Sequence, residues 1–117
     1  MRNEGVTLQR ILHSSSDLSQ RMLNAIEPGS EIAIHRHRHS SETVAVIRGK
    51  IREEFFSEDG VLIDSVEVSP GGDAVALSVP IGEWHRSISL ESGTVILESK
   101  DGPYIPIGEE DILDMEK

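Results

Sequence analysis

The spacing of turn signals constrains this chain more than any other feature. Pro28-Gly29, the polar corner "RHRHSS" (36–41), Gly49, Glu58-Asp59-Gly60, "SPGGD" (69–73), "PIGE" (80–83) and "ESG" (91–93) interrupt it at intervals of roughly 8–12 residues. Between them lie "RMLNAIE" (21–27), "EIAIH" (31–35), "TVAVIRG" (43–49), "KIREEFFS" (50–57), "VLIDSVEVS" (61–69), "AVALSVP" (74–80), "WHRSISL" (84–90) and "TVILESK" (94–100). Several runs are rich in β-branched residues, and helical periodicity is scarce. An Asp-Gly pair between apolar runs favours a hairpin, because its residues tolerate the positive φ that the tight turn requires. About eight short strands at this spacing predict an antiparallel sandwich or barrel.

A length of 117 residues suits one domain with a modest core. With 21 acidic against 11 basic side chains the formal charge is −10, which repels a phosphate backbone and argues against nucleic-acid binding. There is no cysteine, so disulfides, zinc ribbons and thiol nucleophiles are excluded and any metal must be held by nitrogen and oxygen. The N-terminal "MRNEGVTLQRIL" lacks the apolar core of a signal peptide, and no run approaches the roughly 18 apolar residues of a membrane span. The expectation is a cytoplasmic protein without membrane contact.

The stretch "IAIHRHRHSSETVAVIRG" (32–49) carries the chemistry. Side chains alternate faces in a strand, so His35 and His37 point the same way, about 7 Å apart along it. The chain then reverses, and Glu42 opens the next strand, where its carboxylate can lie beside both imidazoles. Far downstream, Pro80 and Gly82 make a tight turn that delivers His85 at the start of a strand. In a closed barrel that strand can pass beside the first pair. Three imidazoles and a carboxylate suit one divalent ion: Zn, Fe, Mn, Ni or Co.

Gly29, His35, His37, Glu42 and Gly49 match every fixed position of the first cupin motif, G(X)5HXH(X)4E(X)6G. Pro80, Gly82 and His85 match the second, G(X)5PXG(X)2H(X)3N, with Ala74 in place of its Gly and Ser89 in place of its Asn. The chain thus resembles the cupin superfamily. A narrower resemblance, to WbuC-type cupin-fold metalloproteins, lies in Gln20–Ala25, Pro28-Gly29 and Gly102–Tyr104. The resemblance implies an all-β antiparallel double-stranded β-helix, the cupin or jelly-roll barrel, as a single domain holding one metal ion on His35, His37, Glu42 and His85. It also implies a link to polysaccharide metabolism.

The expected organisation is an N-terminal extension packing on the barrel (1–20), the barrel itself (21–100) and an acidic tail (101–117). The tail, with Ile112, Leu113 and Met115, either frays, covers a sheet edge or docks on a second subunit. His39 sits in the chain reversal, where alternation lapses, so it is expected at the site's rim rather than as a ligand. His13 is expected at the surface, the alternative being a proton carrier that reaches the cavity, and Trp84 is expected to face away from His85. Exposed sheet edges favour a homodimer. The leading expectation for function is Lewis-acid chemistry of isomerase or epimerase type on a sugar or similar small polar metabolite. An Fe(II) dioxygenase and a non-catalytic metal or small-molecule binding module are the alternatives. The catalytic residues are not assigned.

Overall fold

The computed structural model describes residues 6–14 and 16–113, and is all-β apart from one 3-10 turn at Glu109–Asp111. Residues 1–5 of the expected N-terminal extension, and Met115 of the acidic tail, lie outside the described residues. The strands are β1 (Val6–Ile11), β2 (Ser19–Ile26), β3 (Glu42–Arg48), β4 (Ile51–Phe56), β5 (Leu62–Val68), β6 (Ala76–Val79), β7 (Trp84–Ser89) and β8 (Thr94–Asp101). They form a five-stranded sheet in the order β1-β2-β8-β3-β6 and a three-stranded sheet in the order β5-β4-β7, paired antiparallel throughout. This is the cupin-type jelly roll expected from the sequence. Among the described residues no helix is long and apolar enough to cross a membrane.

One expected strand does not form. Residues 31–34 carry no ladder, and His35 makes only isolated bridges, to His85 and to Ile112. The cause is the path of the chain, which leaves β2 in the larger sheet, touches β7 in the smaller one and returns to the larger sheet at β3. Only one residue of the crossing comes into register with β7.

Period-two alternation divides the interior into an apolar end and a polar end. Ile26, Val44, Val46, Ile51, Val68 and Ile96 form the main buried cluster. Further along the same inward phases stand Gln20 and Asn24 of β2, Glu42 of β3, Glu53 of β4 and Lys100 of β8, all buried. Burying each large apolar side chain contributes about 1.5–3 kcal/mol, so the first end stabilises the barrel while the second is free to carry polar groups. A second cluster, Ile34, Phe56 and Trp84 with Leu113 against it, lies under the C-terminal segment.

Gly49, the last fixed residue of the first motif, joins β3 to β4 with φ +84°. A Cβ there would stand 2.3 Å from Thr94 Oγ1 and 2.7 Å from the Thr94 Cα. Thr94 itself is fixed, because its hydroxyl donates to the Glu91 carbonyl at 2.7 Å and it is fully buried. Gly49→Ala therefore combines left-handed strain with overpacking against backbone, and is expected to destabilise the fold by about 3 kcal/mol or more. Chemical denaturation checks this: a loss below ~1 kcal/mol would mean that β8 yields easily at Thr94.

Candidate metal centre

The bridging residue of the crossing is also the first histidine of the site. The His35 N–H donates to the His85 carbonyl at 3.0 Å, and the His85 N–H donates back at 2.8 Å. The Gly82 N–H, from the "PIGE" turn at φ +82°, donates to the His37 carbonyl at 2.8 Å. These bonds bring together residues that are far apart in sequence. The ring centroids lie 4.5 Å apart for His35 and His85, 5.0 Å for His35 and His37, and 5.6 Å for His37 and His85. One ring nitrogen from each of the three lies within 4.8 Å of the others. Glu42 reaches in from the start of β3, with Oε2 3.5 Å from His37 Nε2 and Oε1 3.9 Å from His85 Nε2.

The outer nitrogens are engaged in a way that orients the inner ones. His35 Nδ1 lies 2.8 Å from the Ala33 carbonyl and so carries the proton. His85 Nδ1 lies 2.6 Å from Glu53 Oε2, and Ser87 Oγ donates to Glu53 Oε1 at 2.5 Å. Both rings are left with Nε2 to present inward, and a carboxylate behind an imidazole is the usual support of a metal-binding histidine. His37 Nε2 and His85 Nε2 are buried and have no hydrogen-bond partner. Unpaired buried nitrogens are costly, and a divalent ion accepting their lone pairs would satisfy both. The donor set of imidazole nitrogen and carboxylate oxygen therefore fits such an ion.

Burial depresses His35 to about 4 and His37 to about 3, so both are neutral and ligand-competent at neutral pH. Burial also pulls His85 down, but the Glu53 hydrogen bond and the charges of Glu42 and Glu53 outweigh it and leave it raised. Burial pushes Glu42 up, yet Lys100, with Nζ 3.2 Å from Glu42 Oε2, and the three histidines hold it well below the usual carboxylate range. Glu98 goes the other way: burial first, then Glu42 beside it, raises it far above that range. Two adjacent buried carboxylates cannot both ionise cheaply, so Glu42 carries the charge and Glu98 the proton. Asn24 Nδ2 donates to Glu98 Oε2, and Gln9 Nε2 donates to Asn24 Oδ1 at 2.9 Å.

A cavity of about 450 Å³ opens beside the cluster. His37, Lys100 and Gln20 border it on the barrel side, with His39 and Ser40 from the chain reversal and residues 102–108 from the C-terminal segment opposite. His39 is exposed on this wall, outside the group of three rings. Tyr104 lines the cavity as well. His13 does not line it, and takes the Arg21 N–H on Nδ1 at 2.8 Å at the β1–β2 connection. Trp84 is buried against the second apolar cluster under the Arg36 guanidinium, 4.5 Å from its ring centroid. Sequence reasoning missed Glu53, Glu98, Lys100 and Asp111. The first three were signalled by their place on the inward phase of β4 and β8, in line with buried Ile51 and Ile96.

Residues 8–68 match the family model described as Domain of unknown function (DUF6016). The chain belongs to that family. Solved structures resemble the DUF6016 chain in fold. Oxalate decarboxylase from Bacillus subtilis has a TM-score of 0.63 at 22% identity, over 86% of this chain and 24% of its own. KdgF from Halomonas sp. has 0.65 at 17%, over 82% and 80%. A protein from Bacillus halodurans has 0.63 at 24%, over 77% and 67%. The DUF6016 chain thus spans about a quarter of the decarboxylase's length. These neighbours are cupin-fold proteins, and at such identities the likeness establishes the fold. A comparison with curated proteins finds no match.

The buried histidines fix a pH dependence. Because His35 and His37 have folded values of about 4 and 3 against an ordinary 6.5, the unfolded chain binds more protons between those limits. Stability of the metal-free protein therefore falls as pH is lowered from 6.5 through 4. His85, raised in the folded state, contributes stability that is present below pH 6.5 and lost only as pH climbs through its folded value. Urea midpoints measured on chelator-treated protein should fall across the acidic window, and fall less in His37→Gln. A flat profile in the parent protein would mean that the two rings stay hydrated.

Proposed function

We propose that this protein is a metal-dependent cupin that binds one divalent ion on His35, His37, His85 and Glu42 and acts on a small polar metabolite entering from the adjacent cavity. The observation that carries this reading is the convergence of imidazole nitrogens in a buried pocket, two of them unpaired, with the ring orientations of His35 and His85 held from behind by Ala33 and Glu53. The neutral rings of His35 and His37 beside the ionised Glu42 offer lone pairs and negative charge that a divalent cation satisfies. Zn, Fe, Mn, Ni and Co all suit the donors. A solved neighbour, the oxalate decarboxylase from Bacillus subtilis, has Mn(II) centres.

Bound there, the ion supplies Lewis acidity toward a carbonyl or vicinal hydroxyls. The chain supplies the rest. Lys100 stands at the junction of Glu42 and the cavity, where its ammonium can hold an oxygen of the ligand. Glu42, ionised, and the His39 imidazole on the cavity wall are the groups able to take or return a proton. A metabolite with several oxygens, such as a sugar or sugar derivative, suits both the ion and the polar floor, and isomerase or epimerase chemistry needs nothing further. The WbuC-type resemblance of Gln20–Ala25 and Gly102–Tyr104 supports placing that substrate in polysaccharide metabolism.

Two measurements test this. Protein purified without added metal should contain close to one transition-metal ion per chain by elemental analysis. His35→Ala combined with His37→Ala should retain below about a tenth of it. Unchanged metal content in that double variant would refute the ligand assignment. Separately, metal-loaded protein should bind or turn over members of a sugar and sugar-nucleotide panel, and complete inactivity across it would remove the carbohydrate assignment while leaving the ion in place.

A further inference from the structure

Asp111 lies near the end of the described chain, is 8% exposed, and lines the cavity beside Arg36 and Arg38. Its Oδ1 accepts from Arg36 Nε at 2.8 Å and from Arg38 Nε at 2.7 Å. These arginines alternate with His35 and His37, so one carboxylate oxygen grips both outward side chains of a segment whose inward side chains are the histidine pair. The backbone reinforces the grip. The Arg36 N–H donates to the Asp111 carbonyl at 3.0 Å, the Leu113 N–H donates to the Ile34 carbonyl at 2.8 Å, and Ile112 bridges His35. Leu113 packs against Ile34, Phe56 and Trp84.

The segment needs this support because it belongs to no sheet. On one side it has the His35–His85 pair and the Gly82–His37 bond; on the other, among the described residues, it has residues 111–113. Alternation makes its register all-or-none: a slip of one residue would exchange the facings of the two arginines and the two histidines.

We propose that Asp111 is a positioning residue for the metal centre, holding Arg36 and Arg38 on the outer face so that His35 and His37 turn their rings inward. This rests on the reading of His35, His37, Glu42 and His85 as ligands. The C-terminal segment is on this account part of the site, although it supplies no ligand.

Co(II) titration of the full chain tests it, with visible absorption reporting coordination geometry and chelator competition reporting affinity. Asp111→Ala should bind Co(II) about 10–100-fold more weakly and with altered d–d bands, the range typical of residues that orient metal ligands. Asp111→Asn keeps an oxygen able to accept both Nε bonds, so it should recover a parent-like spectrum with a smaller loss of affinity. Val68→Ala, in the other apolar cluster, lowers stability without touching the segment and should leave spectrum and affinity unchanged. If Asp111→Ala fails to fold, Asp111→Asn and Arg38→Met carry the same titration, and each should weaken binding. Parent-like affinity and spectrum in every folded Asp111 and Arg38 variant would overturn the proposal while sparing the ligand assignment. Failure of the parent chain itself to bind Co(II) would overturn the ligand assignment and this proposal with it.

Discussion

The reciprocal backbone hydrogen bonds between His35 and His85 are the contact on which the site depends. They are the one place where the crossing segment from the larger sheet is pinned to β7 of the smaller one. An antiparallel pair of this kind fixes both the separation and the relative rotation of the two residues, so the rings are placed by main-chain geometry before any side-chain interaction is counted. Everything else follows outward from it. His37 is two residues along on the same face, Gly82 closes the turn that leads into His85, and Glu42 arrives where β3 rejoins the larger sheet.

The polar end of the barrel is stable only as a connected set. Glu42 is directly opposite Lys100 in the β3–β8 register, and Lys100 is opposite Gln20 in the β2–β8 register. The ammonium offsets the cost of burying Glu42, and the proton retained by Glu98 spares the same small volume a second negative charge. Asn24 and Gln9 extend the chain of donors from there to the edge strand β1. Breaking one link in such a network exposes its neighbours to the full penalty of an unpaired buried group. The apolar cluster at the other end of the barrel supplies the stability against which this arrangement is held.

Much of the fold was legible because strand alternation and turn chemistry are local. The seven runs that became ladders β2 to β8 were visible from their apolar phase and from Gly and Pro punctuation. The run 31–35 was misread because its apolar alternation is real, but pairing depends on where the chain must travel, and no local pattern encodes a crossing between sheets. The meeting of His35, His37, Glu42 and His85 was legible only through motif spacing, since nothing in the composition links residue 85 to residue 35. Glu53 and Lys100 were open to detection: each stands in the inward phase of its strand, with Ile51 and Ile96 respectively, and a charge in that phase demands a buried partner. Asp111 was not open to detection. It sits beside Glu109 and Glu110 in a run that reads as a solvated acidic tail, and only the folded chain distinguishes the carboxylate that meets two arginines from those that do not.

That distinction changes what the tail is. Residues 102–108 form one wall of the cavity, and residues 111–113 hold the segment that forms the other. Gln20 anchors the first of these walls by donating from Nε2 to the Pro103 carbonyl at 3.2 Å, and it lines the same cavity as Lys100. The barrel strands therefore carry Glu42 and His85, the crossing segment carries His35 and His37, and the C-terminal segment outside the barrel lines the adjacent cavity. Through Asp111, which accepts from both Arg36 and Arg38, the C-terminal segment that lines the cavity is joined to the segment that carries His35 and His37.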